Sequence, residues 1–150
     1  MYIKITSPDQ VIYNWEVKKA ILPTEEGEIT VLKNHIPLVS TIKPGIAKIV
    51  PVEHDEAFVK SADFLFEDEK INISLSKWLI FTEWNQIVIT TAEATTSPQE
   101  SLENLEEMKN NLEEKLNQLR KKWSMEEIEE TVISLDKINA DIKLKKLWKN

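Results

Sequence analysis

Cysteine is absent from all 150 residues. That excludes a disulfide framework and a thiolate metal site, and it fits a reducing compartment. Glycine occurs only twice, as Gly27 and Gly45, too seldom to build either common phosphate-cradling loop. The two histidines, His35 and His54, stand far apart in sequence with neither cysteine nor paired helical carboxylates beside them, which speaks against zinc. Long hydrophobic runs are missing as well. The longest is the four residues from Trp78 to Phe81, whereas a membrane-crossing helix needs about twenty. Residues Met1 to Thr6 alternate as a strand does, without the apolar core of a signal peptide or the Arg and Ser bias of a transit peptide. The expectation is a chain kept in the compartment that makes it.

What is present is mostly acid. The net charge of −7 opposes a phosphate backbone, so no nucleic-acid partner is expected. Residues 1–96 hold 14 acids against 9 bases, and residues 97–150 hold 12 against 10. The late bases Lys137, Lys143, Lys145, Lys146 and Lys149 suit an acidic protein partner, or simply a helix C-terminus, whose dipole favours cations. The acidic runs Glu25 to Glu28 and Glu53 to Glu56 lack the spacing of a calcium loop and read as solvated turns. Nothing in sequence orders Ser, His and Asp as a triad. Trp15, Trp78, Phe81 and Trp84 have no basic neighbours patterned for base stacking and read as core or interface. The expected chain is not an enzyme and holds no cofactor and no metal.

Two periods divide the sequence. From residue 2 to about 92, short β-branched runs follow one another: Ile3 and Ile5; Val11 to Tyr13; Ala20 to Leu22; Ile29 to Leu32; Ile46 to Ile49; Ala57 to Val59; Phe64 to Phe66; Ile71 to Leu75; Trp78 to Phe81; Ile87 to Ile89. Turn chemistry separates them, as at Ser7-Pro8-Asp9, Glu25-Glu26-Gly27 and Lys43-Pro44-Gly45. Many short strands without intervening helices predict an antiparallel sandwich or barrel. At Ser97 the period changes. Ser97-Pro98-Gln99-Glu100 has the form of a capping box, and Leu102, Leu105, Met108, Leu112, Leu116 and Leu119 then recur at helical steps. A second box at Ser124 to Glu127 opens a stripe of Ile128, Val132, Leu135, Ile138 and Ile142. With almost no loop between them, the two helices are predicted to form an antiparallel hairpin, each about 24 residues or on the order of 36 Å long. The expected organisation is a β-sandwich over 1–93 and a helical hairpin over 97–150. Narrow stripes allow the helices to bury themselves mainly against each other, without permanent docking on the sandwich.

One stretch is more specific. Leu22-Pro23-Thr24-Glu25-Glu26-Gly27-Glu28-Ile29-Thr30-Val31-Leu32-Lys33-Asn34-His35-Ile36-Pro37-Leu38, followed by Ile42-Lys43-Pro44-Gly45, resembles the epsilon subunit of bacterial F-type ATP synthases. That family runs Pro-Thr-x-x-Gly-Glu, an aliphatic stretch, His-x-Pro-Leu and a Lys-Pro-Gly turn. The opening Ile5 to Asp9, the late strand Ile87 to Glu93 and the helical tail are similar to its other parts. Read physically, Gly27 permits a tight turn with Glu26 and Glu28 projecting, and Pro37 holds Ile36 extended. His35 reads either as a histidine holding this loop or as a direct partner contact.

The resemblance implies a non-catalytic rotor subunit, peripheral on the cytoplasmic face of the bacterial membrane and not inserted in it. Its sandwich would bind the gamma subunit and the c-ring, with Glu28, Lys33 and His35 facing the ring. Its hairpin would extend toward the catalytic head and restrain ATP hydrolysis, with Lys143, Lys145, Lys146 and Lys149 meeting the beta subunits. The sequence departs from the family pattern in three places. Thr30 replaces a glycine. Lys77-Trp78 replaces a Gly-Gly pair, and offers Trp78 as a contact for gamma. Residues Pro98 to Glu103 lack the Asp and Arg of the ATP-binding motif some bacterial members carry, so ATP sensing is not expected. The competing readings are an adaptor or chaperone-like protein with the same architecture, and a small hydrolase using the carboxylates of the acidic turns.

Overall fold

The computed structural model describes residues 1–52 and 64–149, with only the backbone of Lys149. The run Ala57 to Val59, the acidic run from Glu53 and His54 therefore lie outside the described residues. The elements are β1 (Tyr2–Thr6), β2 (Val11–Thr24), β3 (Gly27–Leu32), β4 (Leu38–Ile42), β5 (Gly45–Pro51), β6 (Leu65–Glu67), β7 (Lys70–Leu75), β8 (Trp78–Glu83), β9 (Gln86–Thr91) and β10 (Ala94–Thr95), then α1 (Leu102–Lys122) and α2 (Met125–Lys149).

The strands form a sandwich because β2 belongs to both of its layers. Its first half pairs with β1, and its second half with β3 and β5. A register shift between Val17 and Lys19 marks the crossing, as a bulge does where a strand bends. In sequence, Val11 to Tyr13 and Ala20 to Leu22 read as two strands. They are one strand of 14 residues, since the polar Glu16, Lys18 and Lys19 between them interrupt the apolar pattern but not the backbone pairing. One layer continues from β1 through β9 and β8 to β4; the other runs from β5 through β7 to β6 and β10. A pairing of Thr24 with Ile42 joins the end of β2 back to β4. Strand β4 did not stand out in sequence. Its residues Val39, Ser40 and Thr41 alternate weakly, and Ile42 is its one fully buried side chain.

Inward side chains from both layers make the core: Ile3, Ile5, Tyr13, Val17, Ala20, Leu22, Val31, Ile42, Ala47, Ile49, Ile71, Ile73, Leu75, Ile80, Ile87 and Ile89 are buried. Tyr13 packs edge-on against Trp15 and Phe64, with ring centroids 4.7 and 5.8 Å away.

The helical hairpin forms as its stripes predict, with two differences. Helix α1 begins one turn later than the Ser97 box. Ser101 is its N-cap, accepting the Asn104 amide at 3.1 Å. The Pro98 carbonyl, ahead of the helix, accepts a bond from Lys145 at 3.3 Å. The second difference is that α2 lies on the sandwich, against β5, β6 and β7, as well as on α1. Its predicted stripe is divided: Ile128 and Val132 face the sandwich across a groove, Ile142 is buried, and Lys137, Ala140, Asp141 and Leu144 are buried outside the stripe. Two neighbours on different sides bury more of a helix than one stripe can show.

Candidate partner surface

The sequence motif occupies an edge of the sandwich. At the β2–β3 turn Thr24 Oγ1 donates to the Gly27 carbonyl at 2.6 Å and accepts the Glu26 amide at 3.2 Å. Gly27 has φ +116° and nothing within 4 Å of an added Cβ, so backbone conformation rather than space requires glycine there. Along β3, Ile29 and Val31 point inward while Glu28, Thr30 and Leu32 share the exposed face. Glu28 stands 3.6 Å from Lys48, and both side chains are well exposed. Such a pair in solvent is worth about 0–1 kcal/mol.

Beyond β3 the chain turns at an Asn34 with φ 67°, a conformation Asn tolerates better than most residues. The Asn34 amide donates to the Trp84 carbonyl at 2.7 Å and the His35 amide to the Leu32 carbonyl at 3.0 Å. His35 Nδ1 lies 2.7 Å from the Ile36 carbonyl. A carbonyl only accepts, so Nδ1 carries a proton and donates to it. Thr82, fully buried on β8, holds the next residues: its Oγ1 accepts the Leu38 amide at 3.0 Å. Sequence reading passed over Thr82, because a threonine in a strand looks like any β-branched residue until its hydroxyl has a partner.

Glu28 and His35 are not side by side. Four residues of β3, Ile29 to Leu32, and the turn at Lys33 and Asn34 lie between them, with about 13 Å of extended strand from Glu28 to Leu32. With Lys33, which is exposed, they line an elongated edge rather than converge on one point.

Next to this edge lies an open apolar face. Val39 on β4 is opposite Phe81 on β8, and Phe81 is opposite Val88 on β9. Leu32, Ile36, Val39, Leu79, Phe81 and Trp84 are each more than two-fifths exposed. A recess of about 740 Å³ lies among Tyr2, Pro37, Phe81, Trp84 and Gln86. This arrangement can bind a surface. Among the described residues, no three His, Asp or Glu side chains gather as a metal site, and no helix is long and apolar enough to cross a membrane.

The family model for the ATP synthase delta/epsilon chain, beta-sandwich domain, matches residues 1–77. The chain belongs to this ATP synthase family. Similar relatives include the ATP synthase epsilon chain of Dichelobacter nodosus, 35% identical over 75 residues, covering 49% of this chain and 52% of that one. The epsilon chain of Bordetella avium is 34% identical over 67 residues, covering 45% and 48%. The matches thus span about half the length of these relatives. A mitochondrial ATP synthase structure from Euglena gracilis, comprising OSCP, F1 and the c-ring, contains a similar fold: TM-score 0.69 at 20% identity, covering 92% of this chain and 76% of that one. The likeness reaches past the matched sandwich into the hairpin, as a likeness of fold.

In this epsilon-type chain the late lysines are not equivalent. Lys143 and Lys146 are exposed on α2. Lys145 is half-buried and bonded to the Pro98 carbonyl, and the side chain of Lys149 lies outside the described residues. Lys137, read in sequence as part of the same basic end, is buried. Trp78 lines a groove of about 800 Å³ between the sandwich and α2, facing Ile128, Val132 and Ile133. It therefore stands where the two parts of the molecule meet.

Proposed function

We propose that the chain is a non-catalytic central-stalk subunit of an F-type ATP synthase that links the gamma subunit to the c-ring in ion-driven ATP synthesis. The observation that carries this reading is the apolar face left open on a sandwich of this family, from Val39 through Phe81 to Val88, beside the exposed edge of Glu28, Lys33 and His35. Soluble monomers seldom expose contiguous apolar patches beyond a few hundred Å² unless something binds there. The apolar face suits gamma, and the polar edge suits the loops of the ring. A peripheral place on the cytoplasmic side of a bacterial membrane follows from those partners. The hairpin, with Lys143 and Lys146 on its surface, restrains ATP hydrolysis when it extends toward acidic segments of the beta subunits.

Co-purification tests the assignment. Tagged chain drawn from detergent-solubilised membranes should carry gamma, c and the catalytic subunits in fixed ratio. Recovery of assorted client proteins, or of itself alone, would instead favour an adaptor.

A further inference from the structure

Strand β7 is buried on both faces, and the two faces differ in kind. Ile71, Ile73 and Leu75 enter the core; Asn72 and Ser74 are buried on the opposite side, on the layer against which α2 lies. A permanently covered strand face is ordinarily apolar. Here the Asn72 amide nitrogen and oxygen and the Ser74 hydroxyl are buried with no hydrogen-bond partner among the described residues, and each such group opposes burial. The helix brings its own polar groups. Lys137, 4% exposed, places Nζ 2.6 Å from Asp141 Oδ1 one turn along and 2.9 Å from Thr95 Oγ1 on β10. Thr95 is the register partner of Ser74. The ammonium therefore ties α2 to the sheet directly beside the unpartnered groups.

We infer that this layer is a two-sided clasp: Lys137 holds the hairpin down, while Asn72 and Ser74 weaken the docked state so that it can release. Undocking returns the Asn72 and Ser74 groups to water, and it costs the Lys137–Thr95 bond. With Lys137 removed, Asp141 remains in the interface without its partner, a strongly unfavourable arrangement for a buried ion. The two sets of residues thus move the equilibrium in opposite directions. This inference rests on the proposed release of the hairpin, but the clasp can be measured in the isolated chain.

The chain has no cysteine, so a Lys43→Cys, Glu129→Cys pair on opposite walls of the groove takes two spin labels uniquely. Electron–electron distance measurements on the full-length chain then report docked and open populations. Lys137→Met keeps the aliphatic stem and removes the charge; it should raise the open-to-docked ratio at least tenfold. Asn72→Leu with Ser74→Ala should lower that ratio, and circular dichroism should show the strands intact in both variants. Unchanged distances in Lys137→Met, or a more open population in Asn72→Leu/Ser74→Ala, would overturn the clasp. Hydrolysis by the assembled enzyme separates the two ideas. If removing the hairpin leaves the rate unchanged while Lys137→Met still opens the isolated chain, the regulatory reading fails and the clasp stands.

Discussion

At the scale of single residues, Trp123 is unusual. It ends α1 in the left-handed conformation at φ 56° and is 83% exposed. Glycine is the usual residue there, because a Cβ in that conformation costs about 1–2 kcal/mol. The exposed indole gains little packing in return, so Trp123→Gly should stabilise the chain by about 1 kcal/mol and raise the melting temperature by about 2–4 °C; a lower melting temperature would mean the ring packs in solution. Glu28 offers a contrasting test. Its pairing with Lys48 is solvent-exposed, so Glu28→Lys should change stability by less than about 1 kcal/mol while weakening assembly with the c-ring. A collapse in thermal stability would make this edge structural. Ile73, fully buried, should behave as core, with Ile73→Ala costing about 2–5 kcal/mol in denaturant unfolding.

Among the elements, the strands close a core without help from the helices. The sixteen or so core side chains belong to β1 through β9, and α2 meets the outer side of that sheet. The face it covers holds Asn72 and Ser74 of β7, which water can solvate if the hairpin is missing. A chain ending at Ala94 is therefore predicted to remain folded, monomeric and rich in strand by circular dichroism. Aggregation or loss of fixed tertiary structure would show that α2 is needed to complete the sandwich. The hairpin depends more on its neighbours. Among the described residues its polar contacts to the rest of the chain include Lys137 to Thr95 and Lys145 to Pro98, and its charges mainly suit its own helix ends: Arg120, Lys121 and Lys122 in the last turn of α1, Glu126 and Glu127 in the first turn of α2.

For the whole molecule, a sandwich with an open apolar face and a hairpin docked through polar groups suits a part that stays bound at one end and moves at the other. Deleting residues 124–150 removes α2 and every late lysine. In the assembled enzyme it should raise ATP hydrolysis and leave coupling to ion flow intact. Unchanged hydrolysis would remove the hairpin from regulation. Residues Pro98 to Glu103 carry neither the Asp nor the Arg of the family's ATP motif, so the isolated chain should show at most weak ATP binding by calorimetry. Micromolar affinity would mean that other side chains bind the nucleotide.

Much of this was written locally and therefore readable in sequence. Alternation along Ile71-Asn72-Ile73 and the helical recurrence of Leu105, Leu112 and Leu116 depend on backbone periods of about 2 and 3.6 residues, and Gly27 marks a conformation its own backbone demands. The stretch from Pro23 to Gly45 carried the family resemblance because its order is fixed along the chain. Tertiary structure decided what depends on residues far apart. Val11 to Tyr13 and Ala20 to Leu22 became one strand because β1 and β5 pair with different halves of it. Ser101 rather than Ser97 capped α1, and Lys145 reached the Pro98 carbonyl from 47 residues away. Lys137 looked like any solvated lysine until Thr95 and the sheet beneath α2 enclosed it. A side chain's period is set by its neighbours in sequence, whereas its burial and its partner are set by whatever the fold brings against it.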